Sequence, residues 1–333
     1  MKDNNRVHFA SKIGFLLATA GSAVGLGNLW KFPYMTGLNG GFLFIIVSLV
    51  MVFLIGMPVM MSEMAIGRNT QKSPVGAYSA INKKYRIFGI MPTIVAFIIL
   101  SYYSVIGGWV LKYLFTYVTG GLNGVSAATA FESFVTNPWE PLIWHGIFMA
   151  ITIGICYMGV NKGIEKASEF MMPALFIIVI ITCIRSITLP GAMDGVKFLF
   201  QPNLDKIFSP ELYIGALSQS FYSLSLGMAI IITYGSYMNK SENIGKSSAI
   251  VCSMDLSVAV LASIAIMPAV FSAGLEPTSG PKLIFVTLPY VFEAMPMGVL
   301  FAVLFFVLVL FAAVTSSISL LETTAAYAIA ERF

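Results

Sequence analysis

The sequence predicts an all-α polytopic membrane protein, and three observations lead to this fold class. Hydrophobic residues make up 58% of the 333 residues and charged residues only 10%, which is more apolar surface than a soluble domain can bury. Apolar runs long enough for a helix to cross the bilayer, about 20 residues, occur eight times. Two of these runs are interrupted by glycine and serine, which indicates broken helices around an internal site.

The eight predicted spans are joined by short connections. No short apolar region with a small-residue cleavage site precedes the first, so we expect a retained helix rather than a cleaved signal peptide. Spans longer than about 25 residues are accommodated by tilting in the bilayer. In chain order the predicted spans are 12–37, 42–66, 88–118, 142–160, 170–189, 211–238, 248–274 and 298–330.

The basic residues predict the orientation of these spans. With the N-terminus inside, thirteen of the 19 Lys and Arg residues lie on the inner side and six on the outer side, as the positive-inside rule requires. We therefore expect an integral, multi-pass protein of the plasma or inner cell membrane, surrounded by membrane lipid, with both termini cytoplasmic. The net charge of +4 reflects this bias and does not indicate a nucleic-acid partner.

The cysteine, histidine and acidic residues do not have the spacing of a catalytic site. Cys156, Cys183 and Cys252 lie within apolar runs without paired spacing, as expected of small buried side chains. His8 and His145 fall near opposite membrane faces, and no acid–base pair has helical spacing. Because the sequence also contains no phosphate loop, nucleophile elbow or metal-ligand cluster, we expect that the protein is not an enzyme.

The first span contains the stretch ATAGSAVGLGNLWKFPY, residues 18–34, which loosens a helix at membrane depth. Gly21, Gly25, Gly27 and Asn28 fall within eight residues, and each glycine costs a helix about 1 kcal/mol relative to alanine. A non-helical backbone is tolerated in a membrane only where it faces protein or a water-lined cavity. Two interpretations stay open: an unwound turn at a binding site, or close helix packing through the G-x-x-x-G pair.

A second interrupted stretch, SQSFYSLSLGMAIIITYGSY at 218–237, favours the binding site. Ser223, Ser225 and Gly227 interrupt an otherwise apolar sixth span. Glycine-interrupted spans at corresponding positions of two halves are typical of inverted-repeat transporters. Two facing breaks offer helix N-termini to a carboxylate and freed carbonyls to a small cation.

The two breaks predict a division of the chain into two halves. Spans one to five form the first repeat, and spans six to eight begin the second. The predicted division is a first repeat at 1–189 with its break near 22–27, an outer loop at 190–210, and a second repeat from 211–333 with its break near 223–227 and an outer re-entrant loop at about 275–297.

Several motifs resemble those of the neurotransmitter:sodium symporters, a family of sodium-coupled amino-acid transporters. They are GSAVGLGNLWKFPY (21–34), GMPVMMSEMAIGR (56–68), SYYSVIGGW (101–109), FYSLSLG (221–227), TYGSY (233–237) and AAVTSSIS (312–319). The resemblance covers the whole chain and implies the leucine-transporter-like inverted-repeat fold. The family has eleven or twelve spans, so the eight predicted here resemble a member truncated at its C-terminus.

The resemblance implies two sodium sites, and sodium takes oxygen ligands of the kinds that these residues carry. The first site would consist of the Ala23 carbonyl, Asn28, Ser223 and Asp255, completed by the substrate carboxylate. The second would consist of the carbonyls of Gly21, Val24 and Ala312 with the hydroxyls of Thr315 and Ser316. Taken alone, the hydroxyl pair has a second interpretation, helix packing or bonding to its own backbone.

Asp255 is a candidate functional residue even if the resemblance to the family is set aside. It is the only charged residue between Lys246 and Glu276, and an acid inside a membrane needs a partner. The alternative is a protonated acid bonded to neighbouring serines. Many relatives have a neutral residue here and need chloride nearby, so with this carboxylate we expect sodium ions but no chloride requirement.

A substrate site between the breaks is also implied. N–H groups of Leu26 and Gly27 and the Tyr103 hydroxyl would meet the carboxylate of an amino acid, although Tyr103 alone would more often be an interior aromatic residue. The complete predicted set is Ala23, Leu26, Gly27, Ile99, Tyr103, Tyr222, Ser223, Ser225, Met228, Ser316 and Leu320. Met228 replaces an aromatic residue and makes an adaptable wall, so aliphatic and aromatic substrates both stay open.

Gates are implied on both sides of this site. Lys31 lies just above it in place of the family's frequent arginine, whose acidic partner belongs to a tenth helix that the predicted spans do not include. On the inner side, Arg6 and Tyr237 would pair with an acid near the end of the eighth span. The aligned position is Ala330, with Glu331 beside it, which weakens the expectation of that ion pair.

The combined prediction is a sodium-coupled symporter that imports a neutral amino acid by alternating access. Two further acids have expected roles: Glu322 binds a proton or solvates the inward path, and Glu63 resembles a structural acid near the first helix. Two alternatives stay open: a transporter of the same fold for an osmolyte or other cationic substrate, and a non-transporting binding or regulatory protein or inactive fragment. The oligomeric state is not determined by the sequence.

Overall fold

The computed structural model describes residues 8–275 and 280–332, with side chains up to residue 328, and this part of the chain is helical without a strand. Short π-helical turns lie at Gly27–Lys31, Val52–Gly56, Val160–Glu165 and Leu283–Thr287. The α-helices are α1 (Lys12–Ala23), α2 (Phe32–Leu38), α3 (Phe42–Met51), α4 (Met57–Thr70), α5 (Pro74–Ile81), α6 (Ile87–Val118), α7 (Ala127–Thr136), α8 (Glu140–Tyr157), α9 (Lys166–Ile187), α10 (Ala192–Phe200), α11 (Pro210–Ser223), α12 (Ile230–Ser236), α13 (Ile244–Ser272), α14 (Leu288–Ala294) and α15 (Gly298–Arg332).

Six helices of the described part are long and apolar enough to cross a membrane. They are Phe42–Thr70, Lys83–Val118, Glu140–Tyr157, Val160–Ile187, Ile244–Ser272 and Gly298–Ala328. The helices Lys12–Ala23 and Gly27–Leu38 meet at an angle of 54°, and this bent pair makes a seventh crossing if it is counted as one span. These seven elements coincide with seven of the eight spans expected from hydropathy.

The remaining predicted span, 211–238, is divided in the structure. α11 has 14 residues and α12 has 7, so neither half reaches the length that a crossing requires. Between them the backbone is left-handed at Ser225, Gly227 and Ala229. Hydropathy shows one continuous apolar run here because the residues of the interruption are themselves small or apolar.

α1 lies at the centre of the bundle and positions the site. Its residues from Ala18 to Ala23 are all buried, and the helix packs against α9, α13 and α15. α6 and α15 pack along each other beside it. The outer faces of α6, α8 and α9 carry exposed large apolar side chains such as Phe97, Ile143 and Phe170, which suits a surface surrounded by lipid.

α12 is held in place by a close approach to α4. A β-carbon at Gly67 of α4 would collide with the backbone carbonyl of Ile232, and one at Gly235 of α12 would lie 2.8 Å from the carbonyl oxygen of Met64. Small residues let two membrane helices approach at backbone distance. The second half of the broken sixth span is therefore fixed against the second span, next to the first break.

Candidate functional site

α1 ends at Ala23 because the N–H groups that follow turn away from the helix. The Gly25 N–H donates to Asn28 Oδ1 at 3.3 Å, and the Leu26 N–H donates to Tyr103 Oη at 3.2 Å. In a continuous helix both groups would donate to carbonyls four residues earlier. Those carbonyls are thereby released at membrane depth, where an unpaired backbone oxygen is costly.

Two carbonyls at the first break accept hydrogen bonds from hydroxyl groups of two other spans. Ser22 O accepts from Ser225 Oγ in the second break at 3.0 Å and from Ser316 Oγ of α15 at 3.5 Å. Val24 O accepts from Ser316 Oγ at 3.4 Å. The break in the first span therefore lies in direct contact with the break in the sixth span and with α15.

The second break has a strained backbone with its own anchor. Ser225, Gly227 and Ala229 have φ angles of +56°, +71° and +62°, a region that non-glycine residues adopt only where the surroundings enforce it. The Gly227 N–H donates to Glu63 Oε1 of α4 at 2.8 Å. Glu63, expected to be a structural acid, thus binds the main chain of the broken segment.

Asp255 of α13 lies where the two breaks meet. Asn28 Nδ2 donates to its Oδ1 at 2.7 Å, and Ser223 Oγ lies 2.6 and 2.7 Å from its two carboxylate oxygens. Asp255, Asn28 and Ser223 are 2%, 1% and 6% exposed. Within the described residues no cationic side chain forms an ion pair with Asp255, so the buried carboxylate is surrounded by neutral donors.

The five residues of the predicted second sodium site also lie together. A β-carbon at Gly21 would be 3.2 Å from Thr315 Cβ, and Ser316 reaches the Val24 carbonyl as described above. Thr315 Oγ1 donates within α15, to a carbonyl one turn back at 2.8 Å and to Ala312 O at 3.2 Å. The Thr315 hydroxyl therefore donates its hydrogen to its own helix backbone, as the alternative interpretation expected. Its oxygen can still accept a hydrogen bond or bind a cation.

A narrow cavity lies beside the contact between the two breaks, and the space open to the centre of a water-sized sphere is about 30 Å³. All eleven residues predicted to contact the substrate line it, together with four that were not in that set. The four are Ser22, Gly25, Asn28 and Ile230.

The lining of the cavity combines polar groups with apolar side chains. Residues of both breaks and Tyr103 contribute the polar groups, and Ile99, Met228, Ile230 and Leu320 contribute apolar side chains. Such a lining is complementary to a small molecule with a charged head and an apolar side chain.

Of the predicted gate residues, the structure describes Lys31 and Tyr237. Lys31 Nζ lies 5.3 Å from the centre of the Tyr222 ring, a cation–π distance, and no described acid is within ion-pair distance of it. Tyr237 Oη donates to Glu322 Oε1 at 2.6 Å, a contact between two residues that were singled out separately. Arg6 and the side chain of Glu331 lie outside the described residues, so their pairing stays a prediction.

Gln219 was missed by the reasoning from sequence. It is 2% exposed, and neither its Oε1 nor its Nε2 has a hydrogen-bond partner among the described residues. Its Nε2 would lie 3.9 Å from a β-carbon at Gly27. Its spacing in the sequence could have identified it, since Gln219 precedes Ser223 by four residues and therefore shares its helix face.

Nearly all of the chain matches a protein family model. The model is that of the Sodium:neurotransmitter symporter family, and it matches residues 6–140 and 136–333.

Relatives and a solved structure agree with this match. An uncharacterized sodium-dependent transporter, YhdH, of Bacillus subtilis (strain 168) is 44% identical over 97% of this chain and 72% of its own length. One of Haemophilus influenzae is 36% identical over 97% of this chain and 74% of its own length. The crystal structure of MhsT in complex with L-phenylalanine superposes with a TM-score of 0.90 at 43% identity, covering 98% of this chain and 75% of that one.

Proposed function

The chain belongs to the Sodium:neurotransmitter symporter family, and from this premise we propose that it binds a neutral amino acid together with two sodium ions between its two helix breaks. The predictions of family, of an all-α transporter fold and of a protein that is not an enzyme are confirmed. Sodium-coupled transport by an integral, multi-pass membrane protein follows from the family. The substrate, the two ion sites, the orientation and alternating access are proposals.

The observation that carries the proposal is the buried cluster of Asp255, Asn28 and Ser223 at the meeting point of the breaks. A carboxylate that is 2% exposed and has only neutral donors pays a desolvation cost that a bound cation offsets. Amide, hydroxyl and carboxylate oxygens of this set, with the Ala23 carbonyl, match the ligands of a hard cation. We assign the first sodium ion to these four residues.

The second sodium ion is assigned to the contact between the first break and α15. Gly21 and Val24 would supply carbonyl oxygens, and Ala312, Thr315 and Ser316 would supply a carbonyl and two hydroxyls. The hydrogen bond from Ser316 to the Val24 carbonyl brings two of these oxygens to a distance that one ion can bridge. This ion would tie α1 to α15, whereas the first ties α1 to α11 and α13.

The polar groups of the lining would hold the charged head of the amino acid. The Leu26 N–H now donates to Tyr103 Oη, and a substrate carboxylate would accept from this N–H, from that of Gly27 and from the Tyr103 hydroxyl. Carbonyls of the second break, at Tyr222 and Ser225, would accept from the substrate amine together with the Ala23 carbonyl.

The apolar side chains of the lining would contact the substrate side chain. They include that of Met228, which is unbranched and adapts to different shapes. MhsT, which has been crystallised with L-phenylalanine, is 43% identical to this chain, so we take L-phenylalanine as the first probe and aliphatic amino acids as the second. Asp255 supplies fixed negative charge beside the ions, so no chloride is required in this proposal.

Two ions would supply enough free energy to concentrate the substrate strongly. Moving one positive charge inward through ~100 mV releases about 2.3 kcal/mol, and a tenfold sodium gradient adds about 1.4 kcal/mol per ion. Two ions therefore support an accumulation of about 10⁵-fold, and one ion roughly a few hundredfold. The accumulation ratio thus measures the ion stoichiometry.

The proposal is tested by sodium-dependent binding of labelled L-phenylalanine and aliphatic amino acids to the purified chain and to Asn28→Ala. We expect the variant to need about tenfold more sodium or more for half-saturation, since it loses an oxygen ligand. Asn39→Ala is the matched control, because Asn39 Nδ2 donates to the Met35 carbonyl away from the cavity. Equal sodium dependence of Asn28→Ala and the parent chain would remove Asn28 from the ion site.

Uptake into proteoliposomes separates the proposal from its alternatives. Accumulation of a neutral amino acid that requires an inward sodium gradient supports symport. Accumulation of a quaternary-ammonium osmolyte without amino-acid uptake identifies the osmolyte transporter of the same fold. Sodium-dependent binding without any uptake identifies a non-transporting binding protein.

A further inference from the structure

A buried acid, Glu165, accepts hydrogen bonds from the start of α1, far from the cavity. Glu165 lies at the end of the π-helical turn Val160–Glu165, which connects α8 to α9, and it is 2% exposed. Its Oε2 accepts from the Ala10 N–H at 2.8 Å, and its Oε1 accepts from the Ser11 N–H at 2.9 Å and from Ser11 Oγ at 2.8 Å. All three donors belong to two consecutive residues that enter α1.

The fit between Glu165 and α1 is close. A β-carbon at Gly14, in the first turn of α1, would collide with the Glu165 carboxylate. Ser11 is the N-cap of α1, and its Oγ also accepts from the Gly14 N–H at 2.8 Å. A carboxylate at this end of a helix satisfies N–H groups that have no partner within the helix and complements the helix dipole.

Phe9, which precedes the residues bound by Glu165, is anchored to a different span. The Phe9 N–H donates to Tyr237 O at 3.1 Å, and Asn239 Nδ2 donates to Phe9 O at 3.4 Å. The Phe9 ring, 2% exposed, packs edge-on against Tyr234 and Tyr237 at centre distances of 5.9 and 6.3 Å. The entry to α1 is therefore held between the end of α12 on one side and the start of α9 on the other.

We propose that Glu165 is a positioning residue that keeps the N-terminal end of α1 closed against the bundle, and that opening of this end requires α1 to leave the Glu165 carboxylate. The residues that would be uncovered include Ala18, 2% exposed on α1. Opening breaks three hydrogen bonds to one carboxylate, two from main-chain N–H groups and one from the Ser11 hydroxyl, and entering water can replace them. The contact of Glu165 with Ala10 and Ser11, here called the latch, therefore has a closed and an open state.

The latch is coupled to ion binding, a part of the inference that rests on the proposed function. The two sodium ions would tie the other end of α1 to α13 and α15, so ions and Glu165 stabilise the same closed position of one helix. Two interactions that favour one conformation strengthen each other. Weakening the Glu165 grip must therefore lower the apparent affinity for sodium, and sodium must oppose opening in a weakened variant.

Cysteine labelling tests the latch on the full chain in nanodiscs. Ala18→Cys is introduced after Cys156, Cys183 and Cys252 are replaced by alanine, and the rate of maleimide labelling is measured without sodium and at saturating sodium. In Glu165→Gln we expect the sodium-free rate to rise about fivefold or more and sodium to return it towards the parent rate.

Two further variants make the result specific. Asp194→Asn removes an exposed acid of α10 that pairs with Lys197, and its labelling rate should stay within about twofold of the parent. Glu165→Asp keeps the charge but is one methylene too short to reach all three donors, and we expect an intermediate rate. This variant decides the question if Glu165→Gln does not fold.

Equal rates in Glu165→Gln and Asp194→Asn would overturn the latch, and so would a raised rate that sodium does not reduce, since that indicates general loosening. Failure of the proposed function has a different signature. In that case the parent chain binds no radiosodium, whereas the sodium-free labelling comparison still reports on Glu165.

Discussion

Replacement of Asp255 by asparagine tests the centre of the proposed mechanism. The substitution keeps the shape of the side chain and one oxygen ligand but removes the only charge in a cluster where Asp255 is 2% exposed and bound by Asn28 and Ser223. Two unit charges 4 Å apart attract by about 4 kcal/mol at an effective dielectric constant of 20. Because burial of the carboxylate itself has a desolvation cost that the variant no longer carries, we expect a net loss of about 2 kcal/mol in sodium binding, or about 30-fold in Kd.

Radiosodium binding to the purified chain measures this loss directly, without knowledge of the substrate. Asp194→Asn is the matched control, since Asp194 is an exposed acid paired with Lys197 at 3.2 Å, and its sodium Kd should equal that of the parent. Thermal unfolding in the absence of sodium should show that Asp255→Asn is folded. A folded Asp255→Asn protein whose sodium Kd lies within about twofold of the parent value would refute Asp255 as an ion ligand.

Three further outcomes follow from the same geometry. Asp255→Ala should acquire a chloride requirement for substrate binding, because an anion must then supply the missing charge, and unchanged binding in chloride-free buffer would contradict this. Gly25→Ala should weaken substrate binding by about tenfold or more, since its β-carbon would lie 2.9 Å from Ser316 Oγ and 3.1 Å from Tyr103 Oη; an unaltered substrate Kd by equilibrium binding would show that the cavity is not used. Gly67→Ala should lower the free energy of unfolding by about 1–3 kcal/mol, because its methyl group would collide with a backbone carbonyl of α12; a thermal-unfolding midpoint equal to that of the parent would show that α4 and α12 are not tightly packed.

The reasoning from sequence succeeded where the signal is local. Apolar run length identified seven stretches in which the described residues form helices long and apolar enough to cross a membrane, if the bent pair is counted as one span. Glycine and serine content identified the two stretches in which the helices are interrupted, and both interruptions are seen, at 24–26 and 224–229. Asp255 could be singled out from its isolation among apolar residues, before any family was considered.

The sets of site residues came from the resemblance, and all eleven of the predicted substrate residues line one cavity. Their roles remain proposals, because contact with a cavity is not evidence of contact with a ligand. Gln219 and Glu165 were not singled out. Gln219 looks like an ordinary polar residue of a span end, and Glu165 stands in the polar stretch NKGIEK between two spans, where acids are usually exposed to solvent.

The amino-acid sequence alone determined that this chain lies in a membrane and where its spans lose regular helix, since hydrophobicity and backbone freedom belong to individual residues and their neighbours along the chain. Only the tertiary structure decided that the Glu165 carboxylate binds the entry to α1, 154 residues away, and that the Ser22 carbonyl meets Ser225, 203 residues away. The physical reason is that a buried polar group must find a partner somewhere in the folded chain, while nothing in its own neighbourhood specifies which distant group that partner will be.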